Sequence, residues 1–406
     1  MNALELADDF PDYTHADWRA LAEKGLRVAD FDTLVSETES GLRRGPLFDA
    51  ALRPETAVPL GSDPAPLLEG RPWHVCAPVT DPDFAYANAQ LLEDLEGGAS
   101  AVRIGDLPIS RRADLKRLLE GVYLTLVPVV FAPGSPAARY ALGTEELYGT
   151  PVTLGLDPLG EMPSCPDTWR AFTVDAAAVH EAGGDDRLEL AVMAAIVAES
   201  VRRHGPDAAS HFSLQLACGT DAHLNIVKLR AARRLHAGVA EGFEVDGSVP
   251  VHAVSSLRMM QGQDAWTNLL RTMSAGFGAV AGGADYIMLH PFTDTPAERR
   301  LGEPTAFGHR LARNQQLLMM EESRLGQVGD PAHGSYFHER LTEELAQSAW
   351  SLFQNIEAIG GIETWRETGG YASALDAATA ARAERAEPIL GVTLHPSDDV
   401  PAPEVR

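Results

Sequence analysis

The sequence contains little cysteine, no long apolar run and few basic residues. Its three cysteines, Cys76, Cys165 and Cys218, lie far apart without a CxxC spacing, so neither a disulfide framework nor a zinc site is indicated. No apolar run approaches the ~18–20 residues of a membrane span, and the acidic residues 1–10 lack the basic-then-apolar pattern of a signal peptide. We therefore predict a protein of the reducing cytoplasm without a membrane partner.

The shortage of basic residues bears on the partners of the protein. The chain has 33 Lys and Arg against 58 Asp and Glu, which gives a formal net charge of −25. Nucleic acid binds to a basic protein face, so this balance argues against a nucleic-acid partner. Solubility is the simplest reason for the acidity. Hydrophobic residues are present in ordinary amount, 45%, and 406 residues can bury a large core in one domain or two.

Eight short runs with β character recur, and most of them are separated by stretches of helical period. Strand–helix alternation with short connections implies parallel strands, and eight such units predict an α/β fold, a closed (β/α)8 TIM barrel over residues 71–330. An open doubly wound sheet is the alternative, although no glycine-rich nucleotide motif follows a strand. The runs are Trp73–Val79, Ala101–Ile104, Tyr123–Phe131, Thr150–Leu156, Ala171–Val174, His211–Ala217, Val251–Ser255 and Tyr286–His290. The helical stretches include Tyr86–Leu95, Leu188–Arg203, Ala222–Gly238, Ala265–Val280 and Arg310–Glu322.

The N-terminal flank, residues 1–70, differs from the barrel in composition. It holds one helical piece, Ala16–Lys24, for which Thr14 is the candidate cap. We predict an extended arm that contacts another subunit, because ordering such a segment costs roughly 1–2 kcal/mol per residue and a partner's surface would offset that cost. The alternative is an arm that folds back on its own barrel. The residues that punctuate the arm are Pro54, Pro59, Gly61, Pro64 and Pro66.

The C-terminal flank, residues 331–406, is predicted to consist of helices and a linker. Leu341–Ile359 forms an amphipathic helix that the pair Gly360-Gly361 ends. Residues 396–406 are acidic and rich in proline, which predicts a linker or a free end. The predicted apolar face of the helix consists of Leu341, Leu345, Leu352, Ile356 and Ile359.

The chemistry of a (β/α)8 barrel lies at the C-terminal ends of its strands, and few side chains there could act as an acid or a base. Paired carboxylates at hydrolase spacing are not apparent, and a lone histidine is more often a packed, hydrogen-bonded residue than a base or a ligand. Asp221 and His223 suggest a metal pair, but Asp221 is more simply the cap of the helix that begins there. The residues alone predict an apolar barrel mouth with few acid–base side chains and without a metal site. The candidates are His180, Glu181, Asp221, His223, His252 and His290.

A set of short motifs runs through the chain in a fixed order. The chief ones are Ala312-Arg313-Asn314, Glu321-Glu322-Ser323, Asp330-Pro331, Gly334-Ser335-Tyr336, Leu341-Thr342 and Glu357 with Gly360-Gly361; further ones are GLRRGPLF (41–48), RPW (71–73), HEAGG (180–184), KLRAARRL (228–235) and NLLRT (268–272). Together they resemble the adenosylcobalamin-dependent methylmalonyl-CoA mutase family over nearly the whole chain. The resemblance implies a (β/α)8 barrel with the CoA ester threaded along its axis, and a C-terminal flavodoxin-like domain that holds the cobalamin.

The first and fifth strands depart from the catalytic members of this family. Catalytic members read R-P-W-T-I-R-Q-Y in the first strand, and Pro78 stands here in place of the tyrosine that abuts the substrate radical. They read S-G-Y-H-M-Q-E-A-G-A in the fifth, which places Ala177 and Ala178 on the Tyr-His pair and His180 on the glutamine. The substrate-binding arginine of an R-N-T segment has no counterpart before Arg170. We therefore interpret Pro78, Ala177 and Ala178 as vacated catalytic positions.

The cobalamin-binding part is also predicted to be absent from this chain. Family cobalamin domains carry D-x-H-x-x-G, whose histidine becomes the lower ligand of cobalt. Asp221 with His223 lacks the glycine, Asp330 and His333 have the wrong spacing, and "ILGVTLHP" over 389–396 resembles the end of the family's barrel region. We therefore expect no cofactor bound by this chain.

These departures favour the small, non-catalytic subunit of a heterodimeric methylmalonyl-CoA mutase, an isomerase of propionate metabolism. The complex would interconvert methylmalonyl-CoA and succinyl-CoA with adenosylcobalamin, and this chain would stabilise its homologous catalytic partner. One alternative is an active mutase barrel completed by a separate cobalamin-binding chain. Another is a stand-alone barrel that binds a CoA ester. A remnant pocket, if one persists, is predicted to involve Arg71, His180, His252 and His290.

Overall fold

The fold is known from a computed structural model that describes residues 13–26, 30–54, 71–296, 301–385, 387–396 and 400–406. Eight parallel strands close into a barrel in the order β10-β3-β4-β5-β6-β7-β8-β9, and helices surround it, which confirms the predicted TIM-barrel fold. A separate two-stranded antiparallel pair, β1 and β2, precedes the barrel. The strands are β1 Ser36–Glu37, β2 Arg43–Arg44, β3 His74–Val79, β4 Ala101–Ile104, β5 Val129–Phe131, β6 Val152–Leu156, β7 Arg170–Asp175, β8 Phe212–Cys218, β9 Val251–Ser255 and β10 Tyr286–Met288.

Seven of the eight predicted runs coincide with a barrel strand to within two residues at each end. The exception is β5, which begins only at Val129 although the apolar run begins at Tyr123. Pro128 has no N–H to donate and enters the ladder only through its carbonyl, which accepts from Val102 N at 2.9 Å. The residues before it form turns in which Tyr123 and Leu126 are exposed.

The helices begin and end largely where capping residues predict. Asp221 accepts a hydrogen bond from Leu224 N at 3.0 Å and so caps α7, while α2 ends at Gly97 and α8 at Gly282. The predicted stretch Arg310–Glu322 begins earlier, at Ala306, and its last turn is π-helical over Leu318–Glu322. The helices are α1 His15–Leu26, α2 Phe84–Glu96, α3 Arg112–Leu118, α4 Ala138–Ala141, α5 Ala177–Glu181, α6 Asp186–His204, α7 Ala222–Gly242, α8 Asn268–Ala281, α9 Ala306–Leu317, α10 Tyr336–Ile359, α11 Gly361–Glu367 and α12 Gly370–Glu384; short 3-10 turns occupy Phe31–Leu34, Ala50–Leu52, Glu145–Leu147, Pro206–His211, Leu257–Met259 and Ala265–Thr267.

The main core lies between the strands and the helix layer, and α10 covers two of those helices from outside. Helix α6 is buried on nearly all sides because β7 lies beneath it and α10 packs against it. Leu341, Leu345 and Ile356 of α10 are buried as predicted, whereas Ile359 at its end is exposed. Gly360 ends α10 with φ +114, a conformation that glycine adopts without strain. No helix in the described ranges is long and apolar enough to cross a membrane.

The described part of the N-terminal arm packs partly on its own barrel. Leu42 belongs to the main core, Arg44 pairs with Asp221 at the start of α7, and the Phe48 ring lies 5.0 Å from that of Phe337. Helix α1 instead has no buried residue, and Thr14 caps it as predicted, its Oγ1 accepting from Asp17 N at 3.2 Å. The predicted punctuation at Pro59, Gly61, Pro64 and Pro66 lies outside the described residues.

The end of the chain is not free over residues 400–406. Arg406 and Glu303 exchange two backbone hydrogen bonds of 2.9 Å. The Arg406 guanidinium lies 3.8 Å above the centre of the Tyr86 ring and 3.2 Å from Asp81. The composition of this tail predicts a linker or a free end. A cation–π contact and an ion pair hold Arg406 beside the segment that follows β3, so the tail is not free there, and its role as a linker stays a prediction.

Candidate functional site at the barrel mouth

The lumen of the barrel is lined by alternate residues of the strands, because successive side chains point to opposite faces. A stack of three rings fills it at the level where β9, β10 and β3 begin. The Tyr286 ring lies 4.4 Å from that of His252 and 4.7 Å from that of His74, its partners in register on the two neighbouring strands. Burial lowers the pKa of His252 to about 3 and of His74 to about 4. Both imidazoles are therefore neutral near pH 7 and poor bases.

A chain of three polar side chains crosses the lumen nearer the mouth. Arg103 Nη2 donates to Gln215 Oε1 at 2.5 Å, and Gln215 Nε2 donates to Asp175 Oδ1 at 2.8 Å. Burial lowers the pKa of Arg103 and raises that of Asp175. These side chains bind each other, and Gln215 separates the two charges.

The three positions interpreted as vacated lie around this part of the barrel. Pro78 is half-buried in β3 and pairs in register with Arg103 of β4. Ala177 and Ala178 form the first turn of α5, directly after β7, with Ala177 buried and Ala178 exposed. Their methyl groups offer no donor or acceptor, and the proline has neither a hydroxyl nor an N–H.

His180 faces the helix layer and not the lumen. Its Nε2 lies 3.0 Å from Ser256 Oγ and its Nδ1 lies 3.8 Å from Glu189 Oε2. Lys228 Nζ lies between the acids of this layer, 2.8 Å from Glu189 and 3.0 Å from Asp186. We call these four residues, His180, Asp186, Glu189 and Lys228, the buried ionic cluster.

The buried ionic cluster could be mistaken for a metal centre. Ligand atoms of His180, Asp186 and Glu189 lie within 4.8 Å of one another, in the range a divalent cation would require. The Lys228 ammonium already contacts both carboxylates, so it supplies the positive charge that a metal would otherwise provide. Burial raises the pKa of Glu189 to about 7, although the nearby Lys228 ammonium lowers it. The charge of the Glu189 carboxylate therefore depends on Lys228.

Ser256, His180 and Glu189 contact one another in the order nucleophile, base and acid of a hydrolytic triad. The base and the nucleophile, however, lack the basicity and the accessibility that such a triad requires. Burial lowers the pKa of His180 well below its usual value, and nearby Lys228 lowers it further, so the ring is a poor proton acceptor. The Ser256 hydroxyl is buried and accepts from Arg258 N at 3.1 Å as the cap of a 3-10 turn. A nucleophile must be reachable by its substrate, and this one is not.

The remaining predicted site residues are dispersed over the barrel. Arg71 donates to Gly98 O at 2.7 Å, at the opposite end from the mouth, and His252 lies within the lumen. His290 Nδ1 lies 3.0 Å from Ser255 Oγ, and His180 contacts the next residue, Ser256. Of the four residues predicted for a remnant pocket, His180 and His290 are thus the two that the structure brings near each other. Glu181 is exposed on α5.

Arg103 and Gln215 are the lumen residues that sequence reasoning missed. The signal was a charged side chain at an inward position of the apolar run AVRI, and an amide at an inward position of FSLQLAC. Charged residues are almost never fully buried unless they are paired, so Arg103 within a strand marks an inward-facing site.

Comparison with known proteins identifies the family. The sequence model described as methylmalonyl-CoA mutase matches residues 162–400. The methylmalonyl-CoA mutase small subunit of Streptomyces virginiae is 36% identical over 97% of this chain and 72% of its own length. The chain belongs to the methylmalonyl-CoA mutase family. The small subunit from Propionibacterium freudenreichii subsp. shermanii is 32% identical over 97% of this chain and 70% of that protein, and the probable small subunit of Mycobacterium tuberculosis is 37% identical over 78% and 58%. The chain thus spans 58% to 72% of the length of these mutase relatives.

Two histidines of this chain, His223 and His333, approach the spacing of the motif with which the family binds cobalamin. His223 Nδ1 lies 3.0 Å from His338 Nε2, and its neighbour Asp221 is used as a cap and as the partner of Arg44. His333 Nδ1 lies 2.9 Å from Glu339 Oε1. Each histidine has a ring nitrogen engaged with a described side chain. The aspartates beside them are engaged elsewhere, Asp221 by the α7 cap and Arg44 and Asp330 by Arg230, and neither pair completes D-x-H-x-x-G. These residues therefore do not fit the lower ligand of a cobalt ion.

The buried ionic cluster makes a testable contribution to stability. Lys228→Met should lower the free energy of unfolding at pH 7 by about 3–5 kcal/mol, because two buried carboxylates lose their counter-charge. The pKa of Glu189 is already above its unfolded value of 4.5 and should rise further without Lys228. A raised acid pKa stabilises the protonated form, so the variant should lose stability as pH rises from about 4.5, and the loss should continue above the parent's pKa of about 7. Urea unfolding across this pH range measures it.

Two further variants control this experiment. Lys116→Met removes the cation of an ion pair with Glu146 that is half exposed, and should change the free energy of unfolding by less than about 1 kcal/mol. Lys228→Met combined with Glu189→Gln should remove most of the pH dependence. A Lys228→Met protein as stable as the parent would contradict the assigned role.

Proposed function

We propose that this chain is the small, non-catalytic subunit of a heterodimeric adenosylcobalamin-dependent methylmalonyl-CoA mutase. The complex interconverts methylmalonyl-CoA and succinyl-CoA, and the chain stabilises its catalytic partner. The observation that carries the proposal is the composition of the mouth, where Pro78, Ala177 and Ala178 present no polar side-chain group. The names of the small-subunit relatives support the same role.

A mouth of this composition cannot steer an acyl rearrangement. A donor aimed at developing charge typically contributes about 10²–10³ in rate, and alanine or proline side chains donate nothing. His180 cannot replace the missing donor, because it faces Ser256 and Glu189 in the helix layer. The polar groups of the lumen, Arg103 and Gln215, hold each other or Asp175.

The chemistry of the complex would then reside in the partner. Adenosylcobalamin supplies the radical when it is bound, and we assign its binding to the catalytic chain. Within this chain the two histidines that approach the motif, His223 and His333, do not belong to a D-x-H-x-x-G sequence. The role left to this chain is a surface that binds and stabilises the partner.

Helix α1 is the described part of the arm best suited to such a contact. None of its residues is buried, and Leu21 is 70% exposed. Trp18 is half-buried, with the Phe31 ring 5.9 Å and the His15 ring 5.4 Å from its own. An apolar helix face that the described residues leave uncovered is stabilised by burial against another surface, and Trp is favoured as an interface anchor.

The first prediction of the proposal concerns turnover. The purified chain, given adenosylcobalamin and methylmalonyl-CoA, should form no succinyl-CoA, because the groups lost at Pro78, Ala177 and Ala178 act as a unit. For the same reason Ala178→His alone should not restore activity. Chromatographic detection of succinyl-CoA measures the outcome, with a heterodimer containing the catalytic chain as the positive control. Turnover by the unmodified chain, with or without a separate cobalamin-binding chain, would mean that it is catalytic.

A second prediction concerns the cofactor. Isothermal titration of residues 1–406 with adenosylcobalamin should show no one-to-one complex of micromolar or tighter affinity, because D-x-H-x-x-G does not occur in the sequence. His223→Ala and His333→Ala should leave the titration unchanged. A stoichiometric complex, weakened by either substitution, would place the cofactor on this chain and refute this part of the proposal.

A third prediction concerns the partner. Deleting residues 1–29 should leave a folded barrel, because Leu42 and Arg44 remain, but should reduce co-purification with the catalytic chain. Leu21→Asp should weaken the complex about tenfold or more, and Ala20→Asp, also exposed but away from Trp18 on the helix, should not. Size-exclusion chromatography and a binding titration measure both. A heterodimer of unchanged affinity after the deletion would show that the main contact lies elsewhere.

A further inference from the structure

Two histidines from different helices face each other at the surface of the protein. His223 of α7 and His338 of α10 are 115 residues apart in the sequence, yet His223 Nδ1 lies 3.0 Å from His338 Nε2. The ring centroids are 5.1 Å apart, so the two facing nitrogens lie between the rings. His223 is exposed and His338 is half-buried, so solvent reaches the contact. The sequence suggested Asp221 as the metal-binding partner of His223, whereas the fold uses Asp221 as a helix cap and brings His338 to that histidine.

Neighbouring side chains orient both rings. His338 Nδ1 lies 2.8 Å from the hydroxyl of Ser335, the residue that caps α10. The Phe337 ring stands nearly perpendicular to that of His223, with centroids 5.5 Å apart. A metal-binding histidine is typically held through its second ring nitrogen in this way, which directs the first nitrogen at the ion. His338 therefore presents Nε2 in a fixed direction, and the exposed His223 ring can adjust to an ion placed between them.

Carboxylates outnumber guanidinium groups around the histidine pair. Asp221 pairs with Arg44, while Asp330 and Glu339 share Arg230. Both acids that share Arg230 also interact electrostatically with the half-buried histidine of the pair. These three carboxylates and two guanidinium groups sum to one negative charge, which favours a bound cation. The positive ends of α7 and α10 act against it, because each histidine lies in the first turn of its helix.

We propose that His223 and His338 bind a zinc ion between the starts of α7 and α10. Imidazole is a preferred ligand of Zn²⁺, and two nitrogens on a tetrahedral ion with bonds of about 2.0–2.1 Å lie about 3.3 Å apart, close to the separation of this pair. Among the described residues, no further histidine, cysteine or carboxylate completes the site within 4.8 Å, so water takes the remaining positions. We therefore expect a Kd on the order of 10–100 µM, weaker than that of a closed structural zinc site. The ion would cross-link the two helices, and the site does not depend on the proposed subunit role.

The test is isothermal titration of the full chain, without a histidine tag, with zinc chloride in a buffer that does not bind metal. One zinc ion per chain is expected. His223→Ala and His338→Ala should each weaken binding by about tenfold or more, because each removes one of two protein ligands. The double variant should bind no more weakly than the weaker single variant, because both nitrogens act on one ion. His333→Ala is the matched control: it removes an exposed histidine that contacts Glu339, the neighbour of His338, and should bind like the parent.

A second measurement identifies the ligands without relying on affinity. With one equivalent of Cu²⁺, which also prefers imidazole, electron paramagnetic resonance should show hyperfine coupling to two nitrogens in the parent and to one in His223→Ala. In metal-free buffer His223→Ala should melt within about 2 °C of the parent, because the side chain is exposed, so loss of binding is not loss of the fold. Absence of saturable zinc binding, unchanged affinity in His223→Ala, or an equal loss of affinity in His333→Ala would each overturn the proposal.

Discussion

A buried glutamate on α6 connects the elements behind the barrel mouth. Glu189 Oε1 accepts a hydrogen bond from Ala217 N of β8 at 3.0 Å, and its Oε2 lies 2.8 Å from the ammonium of Lys228 on α7. The His180 ring of α5 lies on a third side of the same carboxylate. Charges removed from water are tolerated only with their partners in place, so α5, α6, α7 and β8 are held in the arrangement that keeps these groups together. The packing of α10 over α6 and α7 closes the cluster from the outside.

This arrangement gives the HEAGG segment a structural role that does not require catalysis. Its histidine bonds to Ser256, and its two glycines allow close approaches that a side chain would obstruct. A Cβ on Gly183, at φ +114, would lie 2.6 Å from Thr379 of α12, and one on Gly184 would lie 2.8 Å from the carbonyl of Val179. In this chain the segment therefore has a structural role, and it does not need donor side chains at Ala177 and Ala178, three and two residues before its histidine.

The barrel was predictable because its strands are short apolar runs between helices, and seven of eight were located from that pattern. The start of β5 was predicted too early because the apolar residues extend upstream of Pro128. The hydrogen-bonded strand begins only after this proline, which has no N–H to donate. Periodicity also could not reveal which way His180 points, because the direction of a side chain on a five-residue helix is set by its tertiary partners, here Ser256 and Glu189. The separation of Arg71 from the mouth follows from its place before β3, yet single-sequence reasoning grouped it with residues after the strands. Whether the arm contacts another subunit stays a prediction, although residues 30–54 pack partly on the barrel.

Buried charges on the helix side and on the lumen side of the barrel wall are stabilised by different contacts. On the helix side, the Lys228 ammonium touches two carboxylates and needs nothing further. On the lumen side, the ring stack of His74, Tyr286 and His252 consists of uncharged groups. One strand away, Arg103 is hydrogen-bonded to the amide of Gln215, and Asp175 lies on the other side of that amide. A buried charge without a partner destabilises a fold, and the Arg103–Gln215–Asp175 chain keeps the two lumen charges close to each other through one amide. The loss of donors at the mouth and the polar chain below it are therefore separate features: the first concerns catalysis, and the second concerns how the lumen holds buried charge.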